Sequence, residues 1–510
     1  MKNDRKVFRM FWGCFIALVT TAIAFSTRIE LVGGAWADQF NLDNVQKGIL
    51  FGAGIWPFAI SIILFSLIID KIGYKTVMIF SFICYSMYAL FAYLAFISGD
   101  NGNAYNLLYV GSVILGLGNG TVEAYINPIV STIFNKEKTK WLNILHAAWP
   151  GGLVIGGTIT ALFIAVDFGN WLALIALVAL PSIIFFIMLI NAEYPVNERL
   201  ASGTSYKEML AEFGTVGAFV ASWLVVAQLN QVFGFGATVT WIFIIVPTLI
   251  YYAYCRSLGH PMMILLILLM IPLAITELGT DGWITDLMKA PLSKIGAPSI
   301  LVLVYTASIM MILRFNVGPI VGKLGPLGLL VSAASLAIVG IYLLSFSTGL
   351  GMIFLAATIY GVGKTFFWPT MLGVVSEQFP KGGALSLNAV SGIGMLSVGI
   401  LGVPLIGAFQ ERNVIDAISN EQPAVLQKVV MEKDYILGDY EALDPEKFAS
   451  LTKEEREDLA PTIAEATQNA LKKVTIFPFI MLISYIGLSL YFRKKGGYKP
   501  VDLISNKVAG

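Results

Sequence analysis

A chain of 510 residues in which 57% are hydrophobic, only 13% are charged and the net charge is +1 lacks the composition of a water-soluble protein, where about 25% of residues carry charge. The neutral balance gives no footing for nucleic acid or an acidic partner and makes the lipid bilayer the expected solvent. Cys14, Cys84 and Cys255 show no CxxC spacing and His146 and His260 are the only histidines, which excludes a disulfide framework and a histidine-rich metal site; no cofactor is expected.

Lys2, Arg5, Lys6 and Arg9 precede the first apolar stretch, and Ala22-Ile23-Ala24 imitates a signal-peptidase site. The apolar pattern resumes at once, so the favoured reading is a first transmembrane helix with a basic cytoplasmic flank. Further apolar runs of spanning length follow. The expected spans are 8–31, 45–69, 76–98, 106–134, 141–166, 171–192, 213–231, 236–255, 261–287, 298–317, 326–346, 350–376, 383–409 and 474–492. Each must satisfy its own backbone hydrogen bonds in lipid, so the fold class is an all-α polytopic membrane protein of about 14 helices.

Basic residues sit in alternate short loops: Lys71 and Lys75, then Lys136, Lys138 and Lys140, then Lys323, Lys381 and Arg493-Lys494-Lys495. The intervening loops lack them, which predicts both termini on the cytoplasmic side of an inner membrane. Two polar stretches interrupt the pattern. Residues 193–212 read as a cytoplasmic linker. Residues 411–472 hold fourteen of the 32 acidic residues and read as an extramembrane elaboration, with Thr452 and Glu455 at the start of a short helix; a cap over the pore mouth is the less favoured alternative.

Charged and amide side chains within apolar spans are costly, about 2.5–3.5 kcal/mol each for charges on insertion scales, and so are functional candidates. Asn119, Glu123 and Asn127 recur every fourth residue and share a helix face. Asn143, His146 and Pro150 share a face of the next span. Glu277 and Asp281 lie one turn apart, as do Lys364 and Trp368, and Arg314 is a second buried cation. Arg28, near the end of the first span, either joins them or snorkels to the interface. Trp149, Trp283, Trp368, Phe366 and Tyr125 can offer aromatic faces to a solute, although packing or an interfacial anchor is the commoner use; Trp36 and Trp56 are expected in packing.

Ser66-Leu-Ile-Ile-Asp70-Lys71-Ile-Gly73-Tyr-Lys75 has a counterpart of equal spacing in Gly318-Pro-Ile-Val-Gly322-Lys323-Leu-Gly325. This pair resembles the loop signature of the major facilitator superfamily, once per half. The resemblance implies two six-helix halves, 1–192 and 261–510, separated by residues 193–260, which carry the linker and an inserted helix pair. It also implies a gate at Asp70, Lys71 and Gly73, with Asp70 latching to a neighbouring helix and Gly322 weakening the second copy.

Glu123-x-x-x-Asn127-Pro128 and Leu142-Asn143-x-x-His146-x-x-Trp149-x-x-Gly152, with Glu277 six residues before Trp283, are similar to the fucose–galactose–glucose:proton symporter family. That likeness implies secondary transport of a sugar by alternating access, with Asn127, Asn143 and His146 towards sugar hydroxyls and Glu123 exchanging a proton. Arg28 stands where relatives resembling the fucose permease carry a first-helix acid, and Lys364 is a charge that the family pattern does not contain.

The substrate site expected from both readings is Asn119, Glu123, Asn127, Asn143, His146, Glu277, Trp283, Arg314, Lys364 and Trp368, for a small molecule with H⁺ as candidate coupling ion. An organic anion held by Arg314 and Lys364 is the alternative solute. No HExxH, GxSxG or P-loop supports an enzyme, and a receptor without flux is the remaining class. The sequence does not indicate an oligomeric state.

Overall fold

The structure, a computed structural model, describes residues 2–166, 169–280, 300–347, 349–433 and 440–503. Thirteen of its helices are long and apolar enough to cross a membrane, and Val304–Phe315 is a shorter apolar helix. Their positions follow the fourteen runs read from the sequence. Large apolar side chains such as Leu64, Ile83, Ile97, Leu162, Ile187 and Ile250 point outward, while Arg28, Glu123, Glu277, Arg314 and Lys364 are buried. In water such an exposed apolar surface would drive association; lipid solvates it, so the polar groups gather inside.

Among the first six spans, the Lys2–Gly33 helix lies along Ala148–Ala165 and Leu172–Leu189, and Tyr74–Ile97 lies along Asn101–Ile133. Among the last six, Val317–Leu344 lies against Leu350–Lys364 and Ile476–Lys494. The two sets meet where Trp56–Ile72 packs on Gly383–Ser397 and Ala148–Ala165 packs on Ile300–Phe315. Of the two intervening helices, Tyr206–Phe233 packs on Ala237–Cys255 and also on Gly383–Ser397 and Pro261–Ala274. Ala237–Cys255 buries only Ile244, Thr248 and Cys255 and otherwise faces outward.

Several spans are broken, and prolines and glycines break them. Gly73 has φ 82° between Trp56–Ile72 and Tyr74–Ile97, and Gly325 has φ 66° at the matching place of the duplicated motif. Both use a left-handed conformation that only glycine adopts without strain. The fifth span divides at Ala147 into Lys138–His146 and Ala148–Ala165, and the twelfth divides after Lys364 and resumes at Phe367.

The 411–472 region corrects one expectation. No short helix starts at Thr452; a helix of 22 residues runs Lys453–Val474 and abuts the last span, Ile476–Lys494. The capping box itself is present. The helix Val403–Glu421 likewise continues the preceding span beyond residue 409. Between them Val430–Lys433 pairs antiparallel with Tyr440–Leu443. Val414, Ile418, Val429, Leu451 and Leu459 give this projection a small core of its own.

Candidate functional site

Glu123 and Asn127 stand one turn apart on the Asn101–Ile133 helix, as their spacing predicts. Asn127 Nδ2 donates to Glu123 Oε2 at 2.7 Å, and Asn127 Oδ1 lies 2.9 Å from His146 Nε2. An amide oxygen only accepts, so His146 carries its hydrogen on Nε2 in this arrangement. Asn119 is turned away from this pair. It accepts from Tyr85 Oη at 2.8 Å, and Tyr85 in turn meets Thr21.

On the other side of the site, Glu277 occupies a π-helical turn, Ile275–Gly279. Its Oε1 accepts from Arg314 at 2.8 Å and its Oε2 from the Trp368 backbone N–H at 2.9 Å. Helix breakage after Lys364 is what frees that N–H. Arg314 also donates to the carbonyls of Thr365 at 2.7 Å and His146 at 2.9 Å. A continuous polar chain therefore runs from Glu123 through Asn127, His146 and Arg314 to Glu277, crossing from the first six spans to the last six.

Glu123, His146, Trp149, Glu277, Arg314 and Trp368 line a cavity with Phe58, Ile62, Leu278 and Met395, which leaves about 390 Å³ free of atoms between its walls, mouth included. Two indole rings and aliphatic walls with a few convergent polar groups are the usual composition of a small-molecule site. The site gathers five of the ten residues expected from the sequence directly on its walls, and Asn127 behind them.

The others fall elsewhere. Asn143 donates to Thr370 Oγ1 at 3.1 Å and to the Thr139 carbonyl at 2.9 Å, away from the cavity wall. Lys364 is 1% exposed, with its ammonium 5.4 Å from the Tyr360 ring centroid. The broken helix explains why Lys364 and Trp368 do not share a face. Trp283, like Asp281, lies outside the described residues. Arg28 does not snorkel: it is 2% exposed and donates to the Leu50 and Phe51 carbonyls. Cys14, Cys84 and Cys255 are free and buried, and among the described residues no cluster of ligands suits a metal.

At the end of the bundle that carries Asp70, side chains invisible to sequence reasoning make the contacts. Asp70 Oδ2 accepts two hydrogen bonds from Arg199, at 2.7 and 3.0 Å. Arg199 belongs to a single helical turn of the polar linker, Glu198–Ala201. Its neighbour Glu198 pairs with Lys138 at 2.6 Å, and Lys138 also donates to the Ser376 carbonyl. Glu377 Oε1 accepts from Thr139 N and Oγ1, while Oε2 accepts from Tyr498. Lys71 lies over the Tyr206 ring at 4.5 Å. A helix-end acid such as Asp70 calls for a cation nearby, but Arg199 carries no motif that marks it within the linker.

The comparisons with known proteins agree with this architecture. Residues 7–404 match the family model described as Major Facilitator Superfamily. No curated protein matches the chain. Among solved structures, the proton:xylose symporter XylE bound to 6-bromo-6-deoxy-D-glucose superposes with a TM-score of 0.59 at 14% identity, covering 82% of this chain and 91% of that one. The human organic anion transporter MFSD10 (TETRAN) gives 0.57 at 12% identity, covering 93% and 99%. A D-xylose-proton symporter gives 0.52 at 14%, covering 77% and 88%. At such identities the likeness is one of fold.

Proposed function

The chain belongs to the Major Facilitator Superfamily, and we propose that it moves a small neutral polyhydroxylated solute, a sugar, across an inner membrane by alternating access coupled to protons through Glu123. The observation that carries this reading is the chemistry of the cavity wall. Its one carboxylate outside an ion pair, Glu123, is joined to an amide and an imidazole, between two tryptophans. Hydroxyl groups need bidentate acceptors and donors with an apolar ring face beside them, and those are the groups present.

The two sets of six spans are the moving bodies in this scheme, residues 193–260 forming the linker and the inserted pair, with both termini cytoplasmic. Protonating Glu123 would turn an acceptor into a donor. Asn127 would then present its amide oxygen to Glu123 and its nitrogen to His146, moving the imidazole hydrogen from Nε2 to Nδ1. The relay thereby reports the protonation state of Glu123 at His146, on the cavity wall.

The organic-anion alternative uses Arg314 and Lys364 as ligands. The Arg314 guanidinium already donates to Thr365, His146 and Glu277, and Lys364 is buried beside the Tyr360 ring rather than on the cavity wall, which weighs against it. Uptake of labelled hexoses and deoxyhexoses into proteoliposomes, with and without an inward proton gradient, tests the proposal. Gradient-driven accumulation of a sugar supports it; flux of small acids without sugar flux in a folded preparation overturns it.

A further inference from the structure

In a helix the carbonyl of residue i accepts from the N–H of residue i+4, and a proline at i+4 has no N–H to give. Three prolines near the site remove that donor: Pro128 for Ala124, Pro150 for His146 and Pro369 for Thr365. In each case a side chain supplies it. Asn388 Nδ2 donates to the Ala124 carbonyl at 2.8 Å, and Arg314 donates to the other two, at 2.9 and 2.7 Å. Asn388 and Arg314 lie in the last six spans, Ala124 and His146 in the first six. Two of the three caps therefore join the moving bodies.

We propose that Asn388 and Arg314 are positioning residues that hold the two bodies together on the Lys138 side of the cavity, by capping backbone carbonyls that Pro128 and Pro150 leave without a helical donor. All four groups are buried: Asn388 and Ala124 are 0% exposed, Arg314 1% and His146 3%. A buried carbonyl without a donor costs about 1–3 kcal/mol, whereas a carbonyl in contact with water loses little. The prolines thus create acceptors that favour two states, joined to the opposite body or hydrated after separation. The other bonds between the bodies in this region, Asn143 to Thr370, Thr139 to Glu377 and Lys138 to Ser376, lie in the same direction from Glu123. Asn388 retains an unpartnered Oδ1, and Ser391 one turn further an unpartnered Oγ. Both would gain hydrogen bonds from water if the seam opened.

The inference rests on alternating access but not on the identity of the solute or ion, so it is tested without either. Spin labels at Lys136→Cys and Lys381→Cys, exposed positions on the two bodies at this end, report the separation by pulsed electron resonance in the full-length protein; the three native cysteines are buried. Asn388→Leu and Arg314→Lys remove or misplace a cap. Pro128→Ala and Pro150→Ala restore the helix's own donor and delete no polar side chain. In all four the ratio of separated to joined populations should rise about fivefold, as loss of one net hydrogen bond implies. Pro181→Ala, in the Leu172–Leu189 helix, should leave it unchanged. Unchanged distances in folded Asn388→Leu and Pro128→Ala protein overturn the proposal. A shift confined to Arg314→Lys also overturns it, because it leaves the prolines without a role. Absence of sugar flux bears only on the proposed solute.

Discussion

Arg314 donates to Glu277 at 2.8 Å with the two side chains 2% and 4% exposed, so the ion pair is held out of water inside the membrane. Two charges so placed are tolerated because each also has backbone partners: Thr365 and His146 carbonyls for the guanidinium, and the Trp368 N–H for the carboxylate. Removing one partner of such a pair leaves the other uncompensated, which costs about 3–5 kcal/mol. Glu277→Leu and Arg314→Leu should each lower the melting temperature in detergent strongly, and the double variant should recover much of the loss. Additive losses would show that the residues act independently.

The proton role of Glu123 separates two kinds of transport. Glu123→Gln keeps a side-chain oxygen for Asn127 but cannot change charge. Accumulation driven by a proton gradient should vanish, while exchange of solute at equal concentrations on both sides should stay within about tenfold, a loss of up to roughly 1.4 kcal/mol. Measuring both in one proteoliposome preparation checks this. Equal loss of exchange would make Glu123 a solute ligand without a coupling role.

Asp70 and Arg199, 4% and 3% exposed, form the corresponding pair at the far end. Arg199 approaches one carboxylate oxygen with both Nε and NH2, a fork that lysine cannot reproduce. Arg199→Lys should therefore destabilise nearly as much as Arg199→Leu. Thermal unfolding of the two variants side by side reads this out, and a lysine variant at wild-type stability would show that charge alone suffices.

Close approach of the second and fourth spans depends on Gly120. A methyl group there would stand 1.9 Å from Ser61 Oγ and 2.1 Å from the Phe58 carbonyl. Backbone cannot swing aside, so Gly120→Ala should cost about 3 kcal/mol, the upper part of the overpacking range. Gly48→Ala, where nothing lies within 4 Å inside the Asn44–Ala53 helix, is the matched control and should hold or slightly raise stability, alanine being the better helix former. Expression and melting temperature of the pair decide the point.

In the extramembrane projection, Glu455 accepts from the Thr452 backbone N–H and hydroxyl and pairs with Lys428. These contacts hold its carboxyl down from 4.5 to about 2, the Thr452 N–H contributing most. Its folded value lies below its unfolded one, so its stabilising contribution is complete above about pH 4.5 and is lost as pH falls towards 2. Hydrogen exchange at the start of the Lys453–Val474 helix should differ between wild type and Glu455→Gln at pH 5 and converge near pH 2. A difference that persists at low pH would refute the assignment.

Much of this molecule can be read in one dimension because the bilayer imposes a one-dimensional rule. A span needs about 20 apolar residues and satisfies its own backbone, so helix number follows from the runs themselves. The stripe of Glu123 and Asn127 was legible for the same reason: a turn of helix is local, and both residues sit within one unbroken helix. The capping box at Thr452 and Glu455 was legible too, although the length of its helix was not. Partner choice was another matter. Asn119 shares the spacing of Glu123 yet bonds to Tyr85, and Asn143 shares a helix with His146 yet bonds to Thr370, because successive turns of one helix face different neighbouring helices.

Periodicity and hydropathy act within a span, so the residues in order already specify a membrane protein of about fourteen helices with a few costly polar groups inside it. Tertiary packing selects the partners: Arg314 joins Glu277 and the His146 carbonyl, Arg199 of the linker takes Asp70, and Asn388 caps Ala124. These pairings link residues from 37 to 264 positions apart, and helix packing rather than local pattern selects among them, because every buried donor must find whichever acceptor the neighbouring helices leave open.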